Sequence, residues 1–408
     1  MYLISRDIAI PIGVYVFHGY QKCSEVYWLA VSAGGSLMFR SAIVLALALT
    51  APFASAGPCV TAAQSCTEWV ILGGGPSHSL VYRTYSLDTR NENISRALIM
   101  VHGAGRDADN YFRTAVAAAF LAGALEDTLV VSPRFASNAG QGCRDALAPE
   151  EVDWNCNSWR SGGPALNNEK ITSFDFVDEI LRKLARKDVF PNLRAIVVAG
   201  HSAGGQYVNR YEMANRVYDK LGVTINYVVS NPSSYAYPDS VRPTDGAYTV
   251  SARAPGYVPA PPDGEAANGS GGAAARASNN GPNTVAVQGF RPFGDARNCT
   301  TFDQWPYGIK NRSGYTQKFS DDELKTQLAA RPTTYLLGEL DVLPLGGFDG
   351  SCAAMAQGPT RLARGEAFGK YVNEALGAHH HVKIVPLCGH NARCMFTAEP
   401  ALPIIFPK

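Results

Sequence analysis

Short apolar runs alternate with longer segments of helical periodicity along most of this chain. Eight such runs predict strands, over residues 68–72, 80–85, 96–101, 128–132, 195–199, 224–229, 333–337 and 382–386. From the third run onward the Val, Ile and Leu content is nearly continuous, which is typical of strands covered on both faces. Such strands alternating with helices predict an α/β fold, with a mostly parallel eight-stranded sheet and helices on both of its faces.

Turn and cap residues mark where several of these elements begin. Residues 73–76 read Gly-Gly-Gly-Pro between the first two strands, which predicts that the sheet opens with an antiparallel pair. Apolar residues at helical spacing predict a helix over 173–187, where Thr172 and Asp175 resemble a capping box. A second helix is predicted from Ala203 to about residue 221.

One internal segment breaks this pattern. Residues 248–283 are rich in Gly, Ala, Pro, Ser and Asn and have little periodicity. A segment of that composition has too little apolar surface to order itself. We therefore expect a flexible insertion within a single domain that covers residues 57–408, because the strands on both sides of the insertion belong to one sheet.

The first 56 residues have the layout of an export signal. Residues 38–56 begin with a positive charge, continue through the apolar run 42–49 and end in Ala-Ser-Ala. The apolar run is too short to cross a bilayer, which requires about 20 such residues. We expect cleavage before Gly57 and no stable membrane insertion afterwards, an uncleaved membrane anchor being the alternative. Residues 1–37 then precede a complete signal, which suggests a gene-start artefact.

Composition sets limits on the class of protein. With 46% hydrophobic and 17% charged side chains in 408 residues, the chain can bury a large core, which excludes disorder throughout. Its formal net charge is +1, and it has no long block of Lys and Arg. A nucleic-acid partner is therefore not expected, because binding to a phosphate backbone requires concentrated positive charge.

Cysteine usage points to an oxidising compartment. The chain has nine cysteines, and removing Cys23 with the first 56 residues leaves eight, an even number. None of the eight has the spacing of a zinc site. Eight cysteines permit 105 connectivities, and proximity along the chain favours four of the possible bridges. These are Cys59 with Cys66, Cys143 with Cys156, Cys299 with Cys352, and Cys388 with Cys394.

The strongest chemical signal follows the predicted strand at 195–199. There the chain reads Gly200-His201-Ser202-Ala203-Gly204 and continues into the second predicted helix. In a nucleophile elbow of this G-x-S-x-G form the serine projects from a strained turn, and small residues two positions away let the backbone segments cross closely. The pattern predicts that Ser202 is a nucleophile. An ordinary glycine-rich turn between a strand and a helix is the alternative.

A serine hydroxyl needs a neighbouring imidazole to remove its proton, and that imidazole needs an acid to orient it. Asp341 follows the strand at 333–337, and His390 follows the strand at 382–386. Both residues are therefore expected at the carboxyl edge of the sheet, where such folds collect functional groups. The order serine, acid, histidine along the chain predicts a Ser202–His390–Asp341 triad that requires no cofactor.

Other acids and imidazoles compete for these roles. Glu339 and Asp349 also lie near the carboxyl edge. Three consecutive histidines, at 379–381, precede the last strand and so lie at its opposite end from His390. A metal site at these histidines is the weaker interpretation, because no carboxylate follows at ligand spacing.

A loop that could stabilise negative charge follows the third predicted strand. It reads His102-Gly103-Ala104-Gly105, an HG-x-G pattern. We expect the backbone N–H of Ala203 and that of Ala104 or Gly105 to form an oxyanion hole. His102 is expected to brace the loop, and a plain glycine turn is the alternative.

Together these segments resemble the α/β-hydrolases. The resemblance rests on residues 101–105, 200–204, Gly338-x-x-Asp341 and Gly389-His390, and covers about residues 68–396. The general layout is most similar to exported bacterial esterases of the polyhydroxybutyrate-depolymerase and feruloyl-esterase kind. This resemblance implies a serine hydrolase that cleaves carboxylic esters, either small or polymeric, outside the cell or in the periplasm.

The sequence offers weak candidates for substrate contact and is compatible with two other functions. Trp159, Tyr235 and Trp305 lie near the expected carboxyl edge and are weak candidates for substrate binding, since such aromatics more often pack in a core. The same triad would serve a serine peptidase, because fold and triad do not choose between ester and amide. A non-catalytic binding protein on a hydrolase scaffold is the other alternative. The sequence does not determine the oligomeric state.

Overall fold

A mostly parallel sheet of eight strands organises the computed structural model, which describes residues 57–140, 142–244 and 289–408. The strands of this sheet are β1 (Thr67–Ile71), β2 (His78–Arg83), β3 (Arg96–Val101), β4 (Thr128–Pro133), β5 (Ala195–His201), β6 (Thr224–Ser230), β9 (Thr333–Gly338) and β10 (His381–Val385). Their order across the sheet is β1-β2-β4-β3-β5-β6-β9-β10. Each of the eight predicted strands has a counterpart, so the predicted fold class is confirmed.

Strand β2 runs opposite to both of its neighbours. It pairs antiparallel with β1 on one side and with β4 on the other, whereas the remaining neighbours pair in parallel. The predicted antiparallel opening is therefore confirmed. Strand β5 continues two residues beyond its predicted end, because its pairing with β6 extends to His201 opposite Ser230.

A second, two-stranded sheet was not predicted. It consists of β7 (Val241–Pro243) and β8 (Phe290–Pro292), which pair antiparallel. Each strand is three residues long and ends in proline, so neither carries the apolar run from which strands are recognised. The predicted insertion at 248–283 and the predicted signal segment lie outside the described residues.

Helices cover both faces of the large sheet. They are α1 (Ala108–Leu121), α2 (Ser173–Leu184), α3 (Ala203–Ala214), α4 (Asp321–Ala330), α5 (Cys352–Met355), α6 (Arg361–Leu376), α7 (Ala392–Thr397) and α8 (Leu402–Ile405). Short 3₁₀ turns lie at Gln64–Cys66, Ser158–Ser161, Tyr218–Lys220 and Gly314–Lys318. Within the described part of the chain, no helix combines the length and the apolar character that crossing a membrane requires.

The central strands bury both of their faces. In β3, Leu98 and Met100 pack into an apolar layer with α1 and the C-terminal helices, whereas Ile99 and Val101 pack into the layer formed with α2, α3 and α6. Successive side chains of a strand point to opposite faces, so a strand between two helical layers must be apolar at every position. This packing explains the nearly continuous apolar runs of the sequence.

Helix α3 ends seven residues earlier than the predicted residue 221. Asn215 leaves the helical conformation with ψ 116°, and its side chain accepts hydrogen bonds from the N–H groups of Val217 and Tyr218. The Arg331 guanidinium also donates to the carbonyl oxygens of Glu212 and Asn215. The end of the helix is therefore fixed by a contact 116 residues away in sequence. Helix α2 likewise ends at Leu184 and not at residue 187.

All four predicted disulfides are present. Sulfur atoms are bonded between Cys59 and Cys66, Cys143 and Cys156, Cys299 and Cys352, and Cys388 and Cys394. Three of them close short loops, and the bridge between Cys299 and Cys352 joins residues 53 positions apart. The pairing by sequence proximity is confirmed.

The capping box of α2 generates a stability prediction. The Thr172 side chain accepts from the N–H of Asp175, and the Thr172 N–H donates to the Asp175 carboxylate at 2.8 Å. We expect Thr172→Ala to lower the free energy of unfolding by about 1 kcal/mol, because it leaves a helix N–H unsatisfied. Thr172→Ser, which keeps the hydroxyl, should retain most of the stability. Urea denaturation measures both, and equal midpoints for the Ala variant and wild type would contradict the prediction.

Candidate active site

Ser202 lies on a sharp turn between β5 and α3. Its backbone has φ 60° and ψ −118°, a conformation that L-residues rarely adopt. A Cβ added at Gly200 would lie 2.3 Å from the carbonyl oxygen of Gly204, and one added at Gly204 would lie 2.3 Å from that of Val101. The two glycines therefore allow the backbone crossings on which the turn depends, as the G-x-S-x-G pattern predicts.

The structure brings Ser202, His390 and Asp341 into one line of hydrogen bonds. The Ser202 Oγ lies 2.9 Å from the His390 Nε2, and the His390 Nδ1 lies 2.7 Å from the Asp341 Oδ2. The serine and the histidine are 188 residues apart in sequence. With Nδ1–H donating to the carboxylate, Nε2 carries the lone pair that can take the hydroxyl proton. The arrangement is thus competent for nucleophilic attack by the serine oxygen.

The two rival acids point elsewhere. A Glu339 carboxylate oxygen accepts from the N–H of Leu387 at 2.9 Å, and the Asp349 carboxylate accepts from the Tyr307 hydroxyl at 2.7 Å. Asp341 alone among the three predicted candidates contacts the imidazole.

Arg361 was not anticipated from the sequence. Its guanidinium and the Asp341 carboxylate form an ion pair at 3.4 Å in which both side chains are buried. It also donates to the Ser233 hydroxyl at 2.8 Å and to the Gly346 carbonyl at 2.9 Å. Burial lowers the pKa of Arg361, and the nearby Asp341 carboxylate opposes that shift. Arg361 lies on α6, twenty residues beyond Asp341, in a segment without a recognisable motif, so no local signal identifies it.

His201 forms a second, buried imidazole beside His390. The two rings are 4.6 Å apart at an angle of 39°, and the His201 Nδ1 lies 3.2 Å from the Tyr111 hydroxyl. Burial lowers the pKa of His201 well below its usual range, and the nearby His390 adds to that shift. His201 is therefore neutral at physiological pH and supports the His390 ring without opposing a positive charge on it.

The HG-x-G segment forms a turn against the elbow. The N–H of Arg106 donates to the Gly103 carbonyl at 3.1 Å, which closes a turn around Ala104 and Gly105. A Cβ at Gly204 would also lie 2.6 Å from the His102 carbonyl, so this loop packs against the start of α3. Ala203 is the first residue of that helix, where N–H groups have no partner within the helix.

His102 braces this loop through both ring nitrogens. Its Nε2 accepts from the N–H of Phe135 at 3.0 Å, and its Nδ1 lies 2.8 Å from the Gly103 carbonyl. Because Nε2 accepts, Nδ1 must carry the proton and donate. Burial lowers the pKa of His102 to about 4, so the ring is neutral and unavailable to a substrate. This is the bracing role expected from the sequence.

The three aromatic candidates for substrate contact differ in position. Trp159 stacks on Phe135 and Tyr235 stacks on Phe368, and both are buried in the core, with 1% and 0% exposure. Such burial leaves these two side chains no free surface for a ligand, so the expectation of substrate contact fails for them. Trp305 is only partly buried, and its Nε1 donates to the Ser161 carbonyl at 3.0 Å.

The histidines at 379–381 lie far from this chemistry. They precede and begin β10, whereas His390 follows its carboxyl end. The His380 Nδ1 lies 2.9 Å from the Tyr335 hydroxyl, and burial lowers the pKa of His380 to about 4. In the described ranges, no group of three or more His, Cys, Asp and Glu side chains is placed to hold a metal ion.

Comparisons with known proteins agree with this architecture. The model of the alpha/beta hydrolase family matches residues 98–402. Poly(aspartic acid) hydrolase-1 from Sphingomonas sp. KT-1 aligns with 19% identity and a TM-score of 0.52, over 83% of this chain and 98% of that one. The poly(3-hydroxybutyrate) depolymerase LpqC from Bordetella parapertussis aligns with 16% identity and a TM-score of 0.50, over 82% and 85%. At these identities the two structures support the fold alone. No curated protein matches the chain.

The Arg361–Asp341 pair generates a prediction about pH dependence. Removing the guanidinium leaves the buried carboxylate uncompensated, which stabilises the imidazolium form of His390. The imidazole must be neutral to accept the serine proton, so Arg361→Gln should move the acid limb of the kcat/KM profile to higher pH, by about 0.5 to 1 unit. Arg361→Lys, which keeps a positive charge, should move it less. An acid limb unchanged in the Gln variant would contradict this role.

The bridge between Cys388 and Cys394 generates a second prediction. It encloses His390, and the Cys388 carbonyl accepts from the N–H of Leu340 at 2.9 Å, next to Asp341. We expect the double variant Cys388→Ser, Cys394→Ser to keep its fold but to lose kcat on the order of tenfold. The loss is expected because the imidazole of His390 would no longer be held in its position. The control is the double variant Cys59→Ser, Cys66→Ser, which removes a disulfide that closes a loop of similar length. Circular dichroism and esterase kinetics separate the two effects, and an unchanged kcat in the first variant would refute the prediction.

Proposed function

This chain belongs to the alpha/beta hydrolase family, and we propose that within it the chain is a secreted serine hydrolase that cleaves carboxylic esters. The resemblance inferred from the sequence motifs is thereby confirmed at the level of the family. The observation that carries the finer proposal is the continuous hydrogen-bonded line from Ser202 through His390 to Asp341.

Proton transfer between the serine and the imidazole begins the proposed reaction. As the Ser202 Oγ attacks the ester carbonyl, its proton moves to the His390 Nε2, and Asp341 stabilises the imidazolium that forms. The same proton then passes to the leaving alcohol as the tetrahedral intermediate collapses to an acyl-enzyme. Water attacks the acyl-enzyme in a second cycle of the same steps and releases the acid. No cofactor takes part.

Backbone N–H groups are proposed to stabilise, by hydrogen bonds, the negative charge that develops on the carbonyl oxygen of the ester. The N–H of Ala203 and that of Ala104 or Gly105 are proposed to form the oxyanion hole. The packing of the HG-x-G loop against the first turn of α3 supports this assignment. A single donor of this kind contributes about 3 kcal/mol of transition-state stabilisation in enzymes where one has been removed.

Apolar side chains beside the imidazole favour a substrate with aliphatic parts. Leu387 is 70% exposed and lies three residues before His390. Leu345 is 61% exposed and precedes Gly346, where an added Cβ would lie 3.3 Å from the His390 ring. An acyl chain or a stretch of polyester could cover these exposed surfaces. LpqC, whose fold this chain shares, is a poly(3-hydroxybutyrate) depolymerase, and the present proposal includes polymeric esters among the substrates.

Secretion is proposed on the basis of the disulfides. Four bridges within the described residues are characteristic of a protein that folds in an oxidising compartment. Together with the signal layout at 38–56, they support export followed by folding of residues 57–408 as one domain outside the cytoplasm.

Substitution of the nucleophile tests the proposal. With p-nitrophenyl butyrate as substrate, Ser202→Ala should lower kcat by at least about a thousandfold, because no other group replaces the attacking oxygen. Ser65→Ala, at an exposed serine remote in sequence, is the matched control and should leave the rate unchanged. A fluorophosphonate probe should label wild type and the control but not the Ser202 variant. Equal hydrolysis by wild type and Ser202→Ala would end the proposal, and a parallel panel of peptide p-nitroanilides separates an esterase from a peptidase.

A further inference from the structure

Arg160 is a half-buried cation without an acidic partner of its own among the residues that the structure describes. Its Nε donates to the Asn157 carbonyl at 3.0 Å, its Nη1 donates to the Gln206 Oε1 at 3.1 Å, and its Nη2 donates to the Asn157 side-chain oxygen. All of these acceptors are neutral. Among residues 57–140, 142–244 and 289–408, no carboxylate oxygen lies within 4.0 Å of the Arg160 guanidinium, the distance that defines an ion pair. A guanidinium has five N–H donors, so two of them remain for another acceptor.

The guanidinium contacts the first turn of the helix that follows Ser202. The N–H of Gln206 donates to the Ser202 carbonyl at 2.9 Å, so Gln206 lies one helical turn, about 5.4 Å, beyond the serine. The amide of Gln206 contacts Arg160 on one side and donates to the Ser234 hydroxyl at 2.8 Å on the other. Trp305, which donates to the carbonyl of the adjacent Ser161, flanks the same turn of chain. Arg160 therefore lies beside the first turn of α3, the helix that begins directly after Ser202.

The charges around this position do not balance. Arg210 is fully buried, and after burial itself the nearby Arg160 guanidinium is the next cause that lowers the pKa of Arg210. Burial lowers the pKa of both arginines, and the carboxylate that opposes the shift in both is that of Asp349. That carboxylate is already engaged by the Tyr307 hydroxyl at 2.7 Å and by the N–H of Ser351 at 3.0 Å. Two guanidiniums are thus opposed by one carboxylate that forms an ion pair with neither within the described residues, and burial makes such unbalanced charge costly.

We propose that Arg160 binds a carboxylate carried by the substrate, so that the preferred ester has an anionic group near the bond that Ser202 attacks. The inference rests on the proposed esterase function and names the class of ester. A carboxylate accepts two parallel N–H bonds from a guanidinium, and the two free donors of Arg160 suit that arrangement. Leu345 and Leu387 on the histidine side and Arg160 on the α3 side then select a substrate with an aliphatic part and a negatively charged part.

Matched esters that differ in one charge test the proposal. On the acyl side, the mono-p-nitrophenyl ester of glutaric acid is compared with p-nitrophenyl 4-carbamoylbutanoate, in which an amide replaces the carboxylate. On the alcohol side, 3-butyryloxybutanoate is compared with its amide. We expect wild type to prefer the acid over the amide in kcat/KM on one of the two sides, by about tenfold to a hundredfold. The side that shows the preference identifies where the carboxylate lies.

Variants of Arg160 connect the preference to this side chain. In Arg160→Gln the acid-to-amide ratio should fall close to one, and in Arg160→Lys it should remain above that of the Gln variant. The ratio is measured within each variant, so it does not depend on how much of the protein is folded. Arg113→Gln removes an exposed arginine that pairs with Asp109 on α1, and it should keep the wild-type ratio. Ratios below about twofold in wild type on both sides, or a ratio unchanged in Arg160→Gln, would overturn the proposal.

Binding without turnover distinguishes this proposal from the esterase function. In the Ser202→Ala background, one of the two acids, monomethyl glutarate for the acyl side or 3-butyryloxybutanoate for the alcohol side, should raise the melting temperature more than the matching amide does. Adding Arg160→Gln should abolish that difference. If wild type hydrolyses none of the esters but this difference is present, the carboxylate site stands and the esterase function fails. If the esters are hydrolysed without any charge preference and the difference in melting temperature is absent, the esterase function stands and the carboxylate site fails.

Discussion

The backbone conformation of Ser202 is the constraint on which the site depends. A non-glycine residue at φ 60° and ψ −118° is strained, and it persists only where its surroundings hold it. Here the Ser202 N–H donates to the Ser230 carbonyl of β6 at 2.9 Å, and glycines on both sides admit the crossing backbone. The register of two neighbouring strands therefore fixes the hydroxyl, and the ends of β9 and β10 bring the acid and the imidazole to it.

Much of this arrangement could be predicted from the sequence, because it follows from local patterns. The buried strands are apolar at successive positions, and the segments that carry Ser202, Asp341 and His390 follow three of those strands. Other features depend on contacts that no local pattern encodes. Helix α3 ends where Arg331, distant in sequence, binds its last carbonyls. Strands β7 and β8 are too short to show a period, and Trp159 and Tyr235 are buried by partners from other elements.

Burial affects the ionisable groups around the site in different ways, because some are held neutral and others remain charged. His102 and His201 are enclosed and held neutral, so positive charge can develop on His390 without repulsion from another imidazolium. Arg361 is enclosed too, but it faces the Asp341 carboxylate and so remains compensated. Arg160 and Arg210 differ, because burial lowers the pKa of both and the Asp349 carboxylate, which opposes that shift, forms an ion pair with neither in the described ranges. The net charge of +1 for the whole chain does not reveal which of these buried groups are neutral, paired or unpaired.

The long separation in sequence between Ser202 and His390 has a consequence for synthesis. The imidazole contacts a hydroxyl encoded 188 residues earlier, and its strand lies at the edge of the sheet beside β9. Chains emerge from the ribosome amino end first, so a partly made chain holds Ser202 without His390. The proposed hydrolytic activity therefore cannot arise before residue 390 has been translated, and shorter fragments lack the imidazole on which the proposal depends.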